Sequence, residues 1–207
     1  MRRSYTSGEL GEDARAVTWI GQLRTWFDQA AANPAVVEPN AVQLATAGRS
    51  GRPSVRTVLA KAIDPRGIVF YTNYGSAKAR DLEESPYAAA VFAWLPMERQ
   101  VRLAGTAERV SRAETDAYFA TRPRGSQIAA WASAQSSVIG SRADLEAQVL
   151  SLEARFSGAD VPAPPDWGGY RLRPDEVEFW QGRPDRLHDR LRHRLVGDIW
   201  VVERLAP

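Results

Sequence analysis

Residues 41–110 alternate between short apolar segments and turn-forming residues, and this alternation limits the folds open to the chain. Glycine and proline interrupt the segments at 48–53, which reads Gly-Arg-Ser-Gly-Arg-Pro, and at 64–67, which reads Asp-Pro-Arg-Gly. Such residues form the tight turns that join antiparallel strands. The segments between the turns are rich in valine, isoleucine and aromatic residues, which favours strands. The predicted strands are 41–47, 54–63, 68–72, 88–94 and 100–110.

Helical patterns flank these strands. Apolar residues recur at helical spacing in 14–32, which predicts an amphipathic helix. Further helices are predicted at 76–84, after the capping box Ser111-Arg112-Ala113-Glu114 and before Pro123, and from about residue 141. We therefore predict an α+β fold, an antiparallel β-barrel with peripheral helices. Residues 1–13 are expected to form an N-terminal arm and 14–207 a single domain.

Composition excludes several classes of protein. The chain has no cysteine, so disulfides, thiolate metal sites and cysteine nucleophiles are excluded. No apolar run approaches the roughly 20 residues that cross a bilayer, and no hydrophobic segment follows Met1-Arg2-Arg3, so we expect a cytoplasmic protein. The two histidines, His188 and His193, have no companion carboxylates at helical spacing, so a metal site is not expected.

The segment 177–190 is the strongest indication of a binding site. It reads as strand, turn, strand, and contains Trp180, Arg186, His188 and Arg190. If the second strand includes 186–190, alternate side chains share a face, so the two arginines and the histidine project together. Two guanidiniums beside an imidazole suit an anionic ligand with an acid–base group next to it. An exposed polar strand face is the alternative, and spacing alone does not choose between them.

An ordered set of motifs resembles the flavin-binding signature of the pyridoxamine 5′-phosphate oxidases. The motifs are Arg56-Thr57-Val58-Leu59-Ala60-Lys61, Phe70-Tyr71-Thr72-Asn73, Gly75-Ser76-Ala77-Lys78, Glu98-Arg99-Gln100-Val101, Arg122-Pro123-Arg124-Gly125-Ser126-Gln127, Trp131-Ala132-Ser133-Ala134-Gln135-Ser136-Ser137 and the segment 177–190. Each motif alone is weak, but they follow the family's order from Glu38 to Pro207. The N-terminal Arg2-Arg3-Ser4-Tyr5 resembles the family's arm.

The resemblance implies a split β-barrel that forms a homodimer, with flavin mononucleotide (FMN) in the cleft between subunits. By the same resemblance, the residues expected to bind FMN are Arg56, Thr57, Val58, Leu59, Ala60, Lys61, Tyr71, Thr72, Lys78, Gln100, Gln135, Ser136, Trp180 and Arg190. Those expected to bind a phosphorylated substrate are Arg2, Tyr5, Lys61, Tyr118, Arg122, Ser126, Arg186 and His188. The expected catalytic residues are Arg186 and His188, while Arg2 and Tyr5 would close over the substrate.

The implied reaction is oxidation of pyridoxine or pyridoxamine 5′-phosphate to pyridoxal 5′-phosphate, with O2 as acceptor and H2O2 as product. The residue types agree with two phosphate sites, because a phosphate monoester binds cations together with hydroxyl and amide donors. Tyr118 and Arg122 are four residues apart on a predicted helix, and so on one face. Strict alternation along one strand would place Arg56 and Lys61 on opposite faces.

Some residues depart from the family pattern. Ala77 stands where many relatives have arginine, Ser4 replaces an acidic residue, and Glu38 replaces aspartate. One alternative is a related FMN oxidase of the phenazine pathway that acts on a non-phosphorylated ring. The presence of Lys61, Tyr118, Arg122 and Ser126 favours the phosphorylated substrate. A second alternative is nucleic-acid binding by the arginine-rich segment 183–194, although Asp185 and Asp189 interrupt it and the net charge is only +2.

Overall fold

The computed structural model describes residues 5–6, 8–11, 13–14 and 17–207. Its helices are α1 (Trp19–Ala32), α2 (Ala77–Glu84), α3 (Arg112–Ala120), α4 (Arg124–Ala132) and α5 (Arg142–Arg155). Its strands are β1 (Ala41–Ala47), β2 (Pro53–Leu59), β3 (Ala62–Asp64), β4 (Gly67–Asn73), β5 (Tyr87–Trp94), β6 (Arg99–Arg109), β7 (Trp167–Gln181), β8 (Asp189–Val196) and β9 (Ile199–Arg204). The described residues contain no helix that is long and apolar enough to span a membrane.

All the strands belong to one antiparallel sheet that curls on itself. The strand order is β2-β1-β5-β6-β7-β4-β3, with β8 paired to β7 and β9 to β8. Strands β2 and β3 therefore lie at opposite ends of the order, although only Ala60 and Lys61 separate them along the chain. The Ala60 N–H donates to the Asn40 carbonyl at 2.8 Å and the Lys61 N–H to the Val69 carbonyl at 2.7 Å. This short junction joins the two ends of the sheet, as expected for a barrel-like α+β fold.

The junction corrects one prediction. Residues 54–63 do not form one strand, because the chain leaves β1 at Leu59 and joins β4 from Ala62. The strict alternation that separated Arg56 from Lys61 therefore does not apply across Ala60. Arg56 lies on β2, whereas Lys61 lies in the junction between β2 and β3. Periodicity along a single strand does not predict this change of position.

The main core fills the inner side of the curved sheet. Strand β1 alternates between buried and partly exposed residues, with Val42 and Leu44 fully buried. Helix α1 packs Leu23 and Trp26 into this core, where the Trp26 ring meets Phe179 edge-on at 5.4 Å. The helix begins at Trp19 rather than near residue 14, because the Thr18 side chain accepts a hydrogen bond from the Gly21 N–H and caps it.

A smaller apolar cluster forms where helices α3, α4 and α5 meet the start of β7. Phe119, Ile128, Phe156 and Trp167 are buried there. Ser111 caps α3 as predicted, and Ser141 caps α5; each accepts from a backbone N–H at 3.1 Å. Helix α3 ends at Ala120, however, so the prediction that Tyr118 and Arg122 share one helix is wrong. Arg122 lies in the turn between α3 and α4, where its N–H donates to the Phe119 carbonyl at 3.1 Å.

The C-terminal strand pair is also shorter than expected. Strand β8 begins at Asp189, so Arg186 and His188 precede it in the turn and do not alternate along a strand with Arg190. Asp185 and Arg186 have φ values of 54° and 65°, which is the left-handed region that residues other than glycine rarely adopt. Pro184 begins this short turn. Arg186 is exposed because it lies in this strained turn, and not because it alternates along a strand.

Strands β6, β7 and β8 have two distinct faces. Val101, Phe179 and Leu191 point into the core, and so does His193, whose burial lowers its pKa to about 4 and keeps it neutral. The intervening side chains lie on the opposite side, which we call the outer face. The outer-face residues of these strands include Gln100, Arg102, Glu176, Glu178, Trp180, Arg190 and Arg192.

Candidate anion and aromatic sites

A cleft of about 590 Å³ opens between strands β2 and β4, the start of α2 and the loop after α4. It is lined by Ser54, Val55, Arg56, Thr57, Val58, Leu59, Tyr71, Thr72, Ala77, Lys78, Gln135 and Ser136. Most of these residues are among those expected to bind a flavin. The cleft is more polar than apolar, so its chemistry depends on the charges that it contains.

Lys78 is the decisive group in the cleft. Its side chain is buried, and Nζ donates to Thr72 Oγ1 at 2.9 Å, to Gln135 Oε1 at 3.3 Å and to Ser76 Oγ at 3.4 Å. No carboxylate among the described residues forms an ion pair with it. Burial, together with the smaller effect of the positive charge of Arg56, lowers the pKa of Lys78 to about 8. A buried ammonium held only by neutral groups is costly unless an anion joins it.

Arg56 is the second cation of the cleft. Its guanidinium donates to Thr46 Oγ1 and to Ser54 Oγ, both at 2.6 Å. Asp81 lies 3.7 Å away and Thr46 donates to it, so this carboxylate is shared. Burial lowers the pKa of Arg56, and Asp81 opposes this effect. Two partly buried cations with hydroxyl and amide groups between them form a site suited to a phosphate.

A smaller cavity of about 230 Å³ adjoins the cleft and shares Tyr71, Thr72 and Gln135 with it. Its other walls include Arg122 and Trp167. The Arg122 guanidinium lies 4.6 Å from the Trp167 ring centroid. Its buried Nη1 has no hydrogen-bond partner among the described residues, and burial lowers its pKa. An unsatisfied buried donor of this kind indicates a second place where an anion can bind.

Aromatic stacking fixes the wall of this second cavity. The Tyr71 and Tyr118 rings stack at 3.9 Å, and Tyr71 also stacks on Trp167 at 5.4 Å. Burial raises the pKa of Tyr71 to about 12, and burial also raises the pKa of Tyr118. Both phenols are therefore neutral hydrogen-bond donors at physiological pH.

Two residues expected at the substrate phosphate are not joined to this cavity by any contact. The Lys61 side chain is exposed and makes no polar contact with a described residue. Ser126 lies in the first turn of α4, where its N–H donates to the Pro123 carbonyl at 2.8 Å. The structure thus brings Tyr118 and Arg122 together, and the roles of Lys61 and Ser126 stay predictions.

The residues of the C-terminal motif form a separate group on the barrel. The Trp180 and His188 rings lie 4.6 Å apart, and Tyr5 meets both rings edge-on at 5.9 Å and 5.6 Å. The Arg183 N–H donates to His188 Nδ1 at 3.1 Å, so the histidine carries its proton on Nε2 in this arrangement. Tyr5 therefore lies over the motif, and its closure over a substrate stays a prediction. Arg2 lies outside the described residues.

Three of the residues expected to bind FMN lie in one row of the outer face. Gln100 pairs with Trp180, and Trp180 pairs with Arg190, across β6, β7 and β8. In the described part of the chain, no hydrogen bond, ion pair or ring contact connects this row to Arg56 or Lys78. One chain therefore presents two partial sites, one rich in cations at the cleft and one rich in aromatic and donor groups on the outer face.

Comparison with known sequences identifies the protein. Residues 29–181 match the family pattern described as pyridoxamine 5′-phosphate oxidase. The chain belongs to this family. Residues 167–207 also match the pyridoxine 5′-phosphate oxidase C-terminal dimerisation region, so the outer-face row and the turn at Arg186 lie within or beside a segment described as a dimer contact.

Curated relatives support the same family over the full chain. The pyridoxine/pyridoxamine 5′-phosphate oxidase of Saccharopolyspora erythraea is 57% identical over 208 residues, covering 100% of this chain and 94% of the relative. That of Rubrobacter xylanophilus is 54% identical over 207 residues, covering 100% and 95%. The chain is therefore related to oxidoreductases of this name along its whole length.

Solved structures confirm the split-barrel fold. PhzG from Burkholderia lata 383, solved in complex with tetrahydrophenazine-1-carboxylic acid, superposes with a TM-score of 0.86 at 36% identity, covering 91% of this chain and 92% of PhzG. A pyridoxamine 5′-phosphate oxidase-related, FMN-binding protein from Nostoc punctiforme has a TM-score of 0.72 at 21% identity, covering 89% and 97%. The second likeness concerns the fold alone.

Some residues of these sites have no role that the sequence patterns predict. Ser76 stands in a flavin motif and is predicted to cap α2, yet its hydroxyl makes no cap hydrogen bond and instead accepts from Lys78. Trp167, which forms the wall beside Arg122, follows the proline-rich segment and was not singled out. Glu178 was quoted only as part of a motif, although its buried carboxylate contacts Arg190. These polar residues matter because they are buried or line a cavity. Sequence periodicity does not predict the burial of a single polar side chain.

Proposed function

We propose that this protein is an FMN-dependent oxidase that converts pyridoxamine or pyridoxine 5′-phosphate, with O2, to pyridoxal 5′-phosphate and H2O2. The observation that carries the proposal is the buried Lys78 beside Arg56, in a cleft that lacks a dedicated carboxylate for Lys78 among the described residues. Family membership supports the class of reaction. Lys78 and Arg56 are the residues that would bind the phosphate of the cofactor.

The residues of the cleft fit FMN. Lys78, Arg56 and the hydroxyl of Thr72 would bind its phosphate, while Gln100, Trp180 and Arg190 would contact its ring. When bound, the flavin supplies the redox chemistry, accepting two electrons from the substrate carbon and passing them to O2. The protein binds and orients the reactants and excludes water.

The cavity beside Arg122 would hold the substrate phosphate. Arg122 offers its unsatisfied Nη1, and Tyr118 offers a neutral phenol. Gln135 lies in the wall between this cavity and the cleft, so the two phosphates would bind on either side of it. Anchoring a substrate at its phosphate fixes the distance of its reacting carbon from the flavin.

Arg186 and His188 would act on the pyridine ring. His188 Nδ1 accepts from the Arg183 backbone, which leaves the Nε2 hydrogen for a substrate oxygen or nitrogen. The exposed Arg186 would orient the substrate through charge-assisted hydrogen bonds. We assign both residues to orientation and proton handling, and Arg2 and Tyr5 to closure over the substrate.

A homodimer would complete each site. The outer-face row and the cleft are partial sites of complementary chemistry, and the C-terminal region matches a dimerisation region. In a dimer with twofold symmetry, the row of one subunit would meet the cleft of the other twice. FMN would then lie at the interface between subunits.

Complementation tests this arrangement. Lys78→Met and Arg186→Ala, each inactive in its own homodimer, should restore activity when co-expressed, because one site of each mixed dimer receives both intact partial sites. Random pairing predicts about a quarter of the wild-type activity. The matched control co-expresses Lys78→Met with Arg56→Ala, whose changes lie in the same partial site, and should restore none. No recovery from the first pair would mean that each site is built within one chain.

The function itself is tested by loading purified protein with FMN, adding pyridoxine or pyridoxamine 5′-phosphate in air, and measuring pyridoxal 5′-phosphate and H2O2. Equal amounts of both products are expected. A protein that binds FMN but turns over neither phosphorylated substrate would refute the proposal.

The similarity to PhzG favours a second candidate, an FMN oxidase that acts on a non-phosphorylated tricyclic ring. The unsatisfied Arg122 calls for an anionic group, which either a substrate phosphate or the carboxylate of a phenazine carboxylic acid would supply, so this residue does not choose between the two. The same assay with a dihydrophenazine carboxylic acid decides between the two. The segment 183–194 gives little support to nucleic-acid binding, since Arg190, Arg192 and Arg194 all pair with glutamates.

A further inference from the structure

Glu178 is a buried acid in the middle of the outer face. It lies on β7, and its side chain is only 5% exposed. Oε1 accepts from Arg190 Nε on β8 at 2.7 Å, and Oε2 lies 3.2 Å from Arg102 Nη2 on β6. The carboxylate thus bridges two arginines on the strands that flank its own, and the hydrogen bond from Arg190 raises the pKa of that arginine.

The C-terminal residues hold Arg190 from the other side. Arg190 Nη1 donates to the Ala206 carbonyl at 2.9 Å, and the Leu205 N–H donates to the Arg190 carbonyl at 3.0 Å. Nε and one Nη1 hydrogen are therefore used within the chain. None of the described residues accepts a hydrogen bond from Nη2. The planar guanidinium is held through both Nε and Nη1, which leaves Nη2 as the group without a partner among the described residues.

We propose that Glu178 is a positioning residue that sets the orientation in which Arg190 contacts the flavin. This inference rests on the proposed function, since it assumes that Arg190 binds FMN. An arginine side chain without such support has many rotamers, and ordering it on binding weakens affinity. Glu178 orders the guanidinium beforehand, so that its Nη2 donors already point toward the ligand.

The experiment measures FMN affinity from the quenching of FMN fluorescence, using Glu178→Gln in the full chain. We expect the dissociation constant to rise by about tenfold, because a charged acceptor at Nε becomes a neutral one. Glu176→Gln is the matched control. Glu176 lies on the same face of β7 and contacts Arg102 and Arg192, but it has no described contact with Arg190. The dissociation constant of the Glu176→Gln variant for FMN should change by less than about twofold.

A double-mutant cycle separates positioning from a general structural role. If Glu178 acts through Arg190, Glu178→Gln should have no further effect on FMN affinity in an Arg190→Ala background. If it only stabilises the sheet, the loss of affinity should be the same in both backgrounds. Should Glu178→Gln not fold, Glu178→Asp, which keeps the charge on a shorter side chain, replaces it in the same cycle.

The outcomes distinguish this inference from the proposed function. Wild-type protein that fails to bind FMN would refute the function. Wild-type protein that binds FMN, with Glu178→Gln binding equally well or with additive effects in the cycle, would overturn the positioning role alone.

Discussion

Arg186→Ala should lower kcat/KM for pyridoxine 5′-phosphate by about a hundredfold while FMN stays bound, since losing a charge-assisted contact to the substrate removes about 3 kcal/mol of binding to the transition state. Arg186 is exposed, and its side chain makes no ion pair or hydrogen bond with a described residue, so its removal should not disturb the fold. Its left-handed backbone, at φ 65°, lies in the exposed turn that precedes β8. Steady-state kinetics with an absorption spectrum of the bound flavin measure both effects.

The control for this variant is Arg173→Ala. Arg173 is also exposed, and its one described ion pair is a surface contact with Glu108 at 3.4 Å. Such pairs contribute little to stability, so activity should be unchanged. If Arg186→Ala lost flavin and kept its turnover when FMN was added in excess, Arg186 would belong to the cofactor site instead.

Lys78→Met should have opposite effects on binding and on stability. FMN affinity should fall by about a hundredfold, because the phosphate loses a buried cation. The melting temperature of the flavin-free protein should rise by about 2–4 °C, because methionine fills a similar volume without burying a charge. Calorimetry of the flavin-free variant and fluorescence titration with FMN measure the two effects. A variant that lost both stability and affinity would show that Lys78 is a structural residue.

The same lysine gives a pH dependence whose sign can be worked out. The pKa of Lys78 is lowered from its ordinary value of 10.5 to about 8 in the folded chain. Between these values the unfolded chain holds a proton that the folded, flavin-free chain has released, so the free energy of unfolding rises with pH across this window. This rise should be absent in Lys78→Met. FMN affinity should instead decline above about pH 8, as the ammonium loses its charge.

Sequence patterns predicted most of the strands and helices, because alternation and capping act locally. The strands at 41–47, 88–94 and 100–110, the cap at Ser111 and the start of a helix near residue 141 are confirmed to within a residue. The errors arise where tertiary structure overrides a local pattern. The pattern of residues 54–63 predicts one strand, but the chain changes strand partners at Ala60 and Lys61. The pattern around Arg186 predicts a strand residue, but Arg186 lies in the turn before β8.

The candidate site was predictable only in part for the same reason. Lys78, Gln135 and Arg122, which the motifs assign to binding sites, line the cleft and the smaller cavity, and their binding roles stay predictions. The motifs gave no indication that Lys78 is buried without a carboxylate among the described residues, or that Glu178 holds Arg190. Such features depend on which side chains exclude water from one another, and residues far apart in the sequence decide that.

The junction at Ala60 and Lys61 also constrains how the chain is made. Strand β4 is bordered on one side by β3 and on the other by β7, which begins at residue 167. During synthesis from the N-terminus, β4 is therefore an open edge until more than ninety intervening residues have emerged (residues 74–166). The barrel cannot close before β7 enters between β4 and β6, so closure involves contacts distant in sequence, which form slowly. Until then the nascent chain exposes a strand that is almost entirely buried in the folded protein, and this is when it is most prone to aggregate.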